Sequence, residues 1–197
     1  MPSNVDDPVR ELDRGLSPAQ IAVETLASPR FRARVRALAG LRERYSKALV
    51  REFVGRAHEE MRRQPREAAQ YARLGEIVAV EIRDGGGRID ALRALAQASM
   101  LHGRFPVALK ALDAAVAASR KRGEEDAAAD LDVLRLEPLI HRERYHEARA
   151  TGDRSLALFE RQDNHQGLVR THLALADLAL RVDRPRAALR HYTRIDR

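Results

Sequence analysis

The sequence has no cysteine and no tryptophan, and only four tyrosines and four phenylalanines among 197 residues. Without cysteine there are no disulfides, no thiolate metal sites and no thiol nucleophile. The scarcity of aromatics removes the stacking platforms on which single-stranded nucleic acid is usually held. No run of about 18 apolar residues occurs, so no membrane span is expected. The first residues, MPSNVDDPVRELDRG, are polar with early acids and do not read as a secretory signal. A cytoplasmic protein is the expectation.

What is abundant is alanine, leucine, arginine and glutamate, a composition that favours helix throughout. Lysine and arginine number 36 against 29 acids, giving a net charge of +7. The stretch Leu92–Val116 shows how the chain is built. Leu92, Leu95, Ala96 and Ser99 fall at helical spacing. Gly103 suits the left-handed residue that ends a helix, and Pro106 suits a first turn that lacks one N–H. Ala108, Leu109, Leu112, Ala115 and Val116 then form a second apolar stripe. Such a helical hairpin cannot bury its apolar face alone and requires neighbours.

The neighbours are visible as a repeat. Ala68, Ala108, Ala148 and Ala188 stand 40 residues apart, each within an apolar helical run. Phe105 and Tyr145 precede two of these alanines by three residues, and Pro65 and Pro185 precede the others. Leu95 and Leu175 are 80 apart, two periods.

This pattern resembles the tetratricopeptide repeat family. The resemblance runs from about Tyr45 to the end. It is carried by Leu92, Leu95, Ala96, Gly103, Phe105, Ala108, Leu112 and Ala115 in the best copy, and by Leu175, Ala176, Ala179, Ala188 and Tyr192 in the last. It implies an all-α, right-handed superhelical solenoid of antiparallel helix pairs. The period of 40 exceeds the usual ~34, which marks a long-period variety of a bacterial kind. One copy is degenerate: Arg135 and Leu136 replace the leucine-then-small pair, and Gly152 stands where an aromatic or leucine is normal.

Along the chain, residues 1–16 read as a flexible lead-in and 17–84 as N-terminal helices that include a degenerate repeat. Residues 85–197 read as the repeats proper, the last of them uncapped. Ser17-Pro18-Ala19-Gln20 is a helix start, and Ser28-Pro29 ends that helix. Arg30–Ala37 suits a helix. Tyr45, Leu49, Phe53, Val54, Ala57 and Met61 predict one face of a long helix, with Pro65 opening its partner. Gly85-Gly86-Gly87 predicts a mobile hinge loop rather than a phosphate cradle, since no Gly-Lys-Ser/Thr follows. Pro138 predicts a kink or an early helix end. The final helix is short, and Leu189, Tyr192 and Ile195 are left either to a partner, including a second copy of the chain, or to further polypeptide.

No catalytic constellation emerges. There is no Gly-x-Ser-x-Gly and no kinase-type signature, and Asp113, Asp130 and Asp132 read as solvated helix charges. The seven histidines, among them His102, His141, His146 and His172, contain no His-Glu-x-x-His and read as surface residues. No cofactor and no metal is expected. Arg30, Arg32, Arg34, Arg36, Arg42 and Arg44 form a basic patch with Lys47 and Arg51 against one acid, Glu43. That patch offers nucleic-acid binding as one reading. Because Arg30–Arg36 spread around a helix without stacking aromatics, a solvated or partner-facing helix is preferred.

In the repeat family the concave face comes from the first helix of each pair. The resemblance therefore implies a partner-binding groove of Arg93, Gln97 and Met100, then Asp130, Val133 and Glu137, then Arg170, Leu173, Asp177 and Arg181. Mixed charge with Met100 and Leu173 suits an extended peptide or a partner helix. The leading expectation is a noncatalytic protein-interaction scaffold. A second is the regulatory N-terminal arm of a larger bacterial signalling enzyme, since such repeats look like those preceding CHAT caspase-like proteases.

Overall fold

The computed structural model describes residues 17–27 and 30–195. The expected flexible lead-in and the Ser28-Pro29 stop lie outside these. The described chain is all-helical. The helices are α1 (Pro18–Leu26), α2 (Phe31–Ala39), α3 (Lys47–Glu60), α4 (Pro65–Glu81), α5 (Gly85–Leu101), α6 (Phe105–Lys121), α7 (Glu125–His141), α8 (Tyr145–Arg161), α9 (His165–Arg181) and α10 (Pro185–Ile195). From α3 onward each helix packs on the next in sequence, and α3 also touches α5, as α7 touches α9.

From Pro65 the helices begin every 20 residues, and α4 to α9 are 17 residues each. Three-residue turns join them, and all end the preceding helix in one way. The middle residue is left-handed, with φ between 53° and 73° at Arg83, Gly103, Gly123, Glu143, Asp163 and Asp183. The next N–H then reaches back five residues, as Arg104 to the Ser99 carbonyl at 2.7 Å and Asn164 to that of Phe159 at 2.9 Å. These are Schellman closures, which satisfy carbonyls the helix end leaves open. Helix starts have their own signals. Ser17 and Gln20 form a capping box, Ser46 accepts from the Leu49 N–H, and Pro65 and Pro185 occupy first positions.

Ala68, Ala108, Ala148 and Ala188 are each the fourth residue of a second helix and are all 0–1 % exposed. An alanine there lets the helix of its own hairpin approach closely. Ile21, Leu38, Leu49, Phe53 and Leu74 fill the N-terminal core. Leu92, Leu95, Leu112 and Leu131 fill the middle, and Leu136, Leu139, Phe159 and Leu175 the C-terminal part.

Three expectations are corrected. The triple glycine is no hinge loop: Gly85–Gly87 form the first turn of α5, with the Asp84 side chain accepting the Gly87 N–H at 3.1 Å. A Cβ on Gly87 would strike the Asp84 carboxylate and come within 2.9 Å of Val50 Cγ1, so this glycine serves a close approach. Pro138 does not end α7 early. Buried Leu136, Leu139 and Ile140 hold the helix to His141 despite the hydrogen bond the ring removes. Tyr45 lies outside α3, which starts two residues later, and its hydroxyl donates to the Leu38 carbonyl at 3.1 Å.

Candidate functional site

The groove residues expected from the first helices fall on α5, α7 and α9. Of these, the structure brings Asp130 and Arg170 together. Arg170 Nη2 donates to Asp130 Oδ1 at 2.6 Å, linking equivalent places on α7 and α9. Leu173 is 48 % exposed, and Glu137, Asp177 and Arg181 are also exposed. Arg93 and Gln97 are half-buried, Met100 packs against the middle core, and Val133 is buried in the C-terminal core. The open part of this face is therefore on α7 and α9.

The basic patch divides. Arg32, Arg36, Arg42 and Arg44 are exposed, whereas Arg34 is 6 % exposed. Its guanidinium contacts Glu67 at 2.5 Å and Gln70 at 3.1 Å, and lies 5.8 Å from the Tyr71 ring centre. Arg34 thus pins α2 to α4 and is withdrawn from any phosphate. Burial, with Glu67 nearby, pushes the Tyr71 hydroxyl pKa up.

Two further corrections concern charged and polar side chains. Asp132, expected in solvent, is 4 % exposed and accepts from Arg120 and Arg135, each at 2.6 Å. Arg135 also reaches Asp113 at 2.8 Å and Glu147 at 3.3 Å. This arginine from α7 fills the groove between α6 and α8, with carboxylates on both walls. His172, expected at the surface, is 5 % exposed, and its Nδ1 faces Nδ1 of His191 at 3.1 Å. His102 meets the Arg66 guanidinium at 2.7 Å, and His141 stacks on Phe105 with ring centres 3.9 Å apart.

Sequence reasoning missed a cavity of about 730 Å³ over α9, between α8 and α10. Leu156, Leu175, Leu178, Ala179 and Val182 supply its apolar surface, and Arg149, Arg184, Arg190 and Arg194 stand around it with two acids, Glu143 and Asp153. It lies on the side of α9 opposite Leu173 and Asp177, since each is two positions from Leu175 and two positions are about 200° around a helix of 3.6 residues per turn. The one sequence signal was the degeneracy of the preceding copy. At the 40-residue offset Arg135 corresponds to Leu175, Asp132 to His172 and Glu147 to Ala187.

Burial lowers the pKa of both His172 and His191. The facing His191 ring and Arg194 add to this at His172, and Arg194 adds to it at His191. Among the described residues no cluster of three or more histidines and acids is placed to hold a metal ion. No helix among them is long and apolar enough to cross a membrane.

No curated protein matches the chain. The tetratricopeptide repeat family, typically a protein-interaction module, matches residues 139–195, which run from the end of α7 through α10. With ten helices packed in sequence, the described chain is consistent with a tetratricopeptide helical array, and residues 139–195 are its segment of recognised family likeness.

Proposed function

We propose that the protein is a noncatalytic, cytoplasmic interaction scaffold of the long-period bacterial variety. It would bind a peptide or partner protein on the face made by α5, α7 and α9. The observation that carries this reading is Leu173, nearly half exposed between Asp177, Arg181 and the Asp130–Arg170 pair. An apolar anchor inside a ring of both charge signs suits a partner helix or extended segment. The test is affinity capture with Leu173→Asp plus Arg181→Glu, two exposed positions whose change leaves the core untouched. A partner kept by the wild type and lost by this variant, with unchanged helix content, supports the face. A partner held equally by both rejects it.

A second reading is favoured by α10. Leu189 is 62 % and Tyr192 41 % exposed on it. That surface suits a second copy, or another domain of the same polypeptide in a signalling enzyme. Light scattering of the wild type and of Leu189→Glu separates the first case: a doubled mass that the variant abolishes identifies self-association.

A further inference from the structure

We propose that the cavity between α8 and α10 is a binding site for a small amphiphilic carboxylate, an aliphatic tail bearing one anionic head. Its volume of about 730 Å³ is within the ~300–1,000 Å³ of ordinary small-molecule sites. Over α7, between α6 and α8, the space is closed by the chain itself. The floor supplies a guanidinium, Arg135, and the surroundings supply the carboxylates of Asp113, Asp132 and Glu147.

One period later this polarity is inverted. The floor is Leu175, apolar and short. The acid at 132 is replaced by His172 and that at 147 by Ala187, while α10 brings Arg190 and Arg194 to the edge. Asp153, the counterpart of Asp113, is exposed and stands 3.8 Å from Arg149 on its own helix. Among the described residues Arg184, Arg190 and Arg194 have no carboxylate within ion-pairing distance. The His172–His191 pair is held neutral near pH 7, because burial opposes its protonation. The four arginines around the cavity outnumber its two carboxylates, Glu143 and Asp153, and leave its edge positive.

The cavity thus has an apolar floor for a tail and unneutralised guanidinium groups for a head. A carboxylate suits the forked guanidinium, and it is the group with which the neighbouring groove already pairs an arginine. The ligand would supply from outside the charge that the chain supplies for itself over α7.

The test uses the full chain and three probes: sodium octanoate, 1-octanol and sodium phosphate. Binding is followed by amide chemical shifts and calorimetry. Octanoate is expected to shift resonances of α8, α9 and α10 around the cavity, and to bind about tenfold more tightly than octanol, the margin of one charge-assisted hydrogen bond. Phosphate, which lacks a tail, should compete weakly. The variant Arg190→Gln with Arg194→Gln should bring octanoate down to the octanol level.

A second variant, Leu175→Arg with His172→Asp, Glu160→Arg and Ala187→Glu, transplants the α7 arrangement, the counterpart of Arg120 included, and should close the cavity. It should abolish octanoate binding while keeping helix content and a cooperative unfolding transition. Equal binding of octanol and octanoate in the wild type overturns the proposal, as does octanoate binding that survives the Arg→Gln pair. No shifts at the cavity also overturns it. So does a doubled mass abolished by the transplant variant, which would make the cavity a contact between copies.

Discussion

Gly152 on α8 faces Leu175 on α9 so closely that a Cβ at residue 152 would come within 2.6 Å of Leu175 Cδ2 and 2.9 Å of its Cγ. The glycine that makes this copy degenerate is therefore matched to a leucine in the next helix. Two effects oppose one another on Gly152→Ala. Helix propensity gains about 1 kcal/mol, and overpacking costs about 1–3 kcal/mol. The single variant should lose about 1 kcal/mol by chemical denaturation. In a Leu175→Ala background the clash is gone and the propensity gain remains, so the same substitution should stabilise. A double-mutant cycle reads the coupling directly. The same sign in both backgrounds would refute the pairing.

The Arg135 network makes a prediction of a different form. Asp132 is buried beneath two guanidinium groups, so Asp132→Ala leaves Arg135 short of its closest carboxylate. The expected loss is about 3 kcal/mol, the usual cost of breaking a buried pair. At the equivalent places in α5 stand Leu92 and Leu95, both buried. Replacing the pair together, Asp132→Leu with Arg135→Leu, should recover most of that loss, because apolar packing often matches a buried ion pair. Urea midpoints of the three proteins decide it. A double variant no more stable than Asp132→Ala would contradict the argument.

The His172–His191 pair sets a pH dependence. Both rings titrate below 6.5 in the fold, chiefly through burial, and near 6.5 when unfolded. Between those values the unfolded chain binds more protons, so stability rises with pH there. It is fully present above about 6.5 and is lost as pH falls through that window toward the folded values. Arg149, Arg190 and Arg194 oppose protonation, while Asp153 and Glu160 favour it. Hydrogen exchange of α10 amides should therefore be faster in its opening equilibrium at pH 5.5 than at 7.5, after correction for intrinsic rates. His172→Gln should flatten the difference. Equal protection at both pH values in the wild type would refute this role.

The left-handed turn residues offer a stabilising test. Arg83 has φ of 56° with a full side chain. Relief of left-handed strain is worth roughly 1–2 kcal/mol, and the freer unfolded glycine returns about 0.4–1 kcal/mol of it. Arg83→Gly should thus stabilise by about 0.5–1 kcal/mol. Asp163→Gly should gain less, since aspartate tolerates that region better. Thermal midpoints for the two variants check the order.

These same residues explain which parts of the fold were legible in the sequence. The alanines at 68, 108, 148 and 188 announced the spacing because one small side chain serves one purpose in every hairpin. The shorter beat of the turns was hidden. Glycine marks only residues 103 and 123, while Arg83, Glu143, Asp163 and Asp183 adopt the same backbone under tertiary constraint. Gly85–Gly87 suggested freedom because local propensity cannot show Asp84 and Val50 pressing on Gly87. Asp132 and His172 passed for surface groups because Arg120 and His191 come from other helices. The cavity was the least legible of all. It arises from a contrast between two copies and becomes a space only when α10 takes its place beside α9.

The uniform 20-residue beat from Pro65 to Pro185 also sets the step in which such a gene can change length. In-frame loss or duplication of 40 residues, cut at any two equivalent turns, restores the alternation of first and second helices of each pair and rejoins like ends. A 20-residue change fits the turns equally well but exchanges the two roles along everything downstream. Recombination in this chain is thus tolerant at one length and disruptive at half of it.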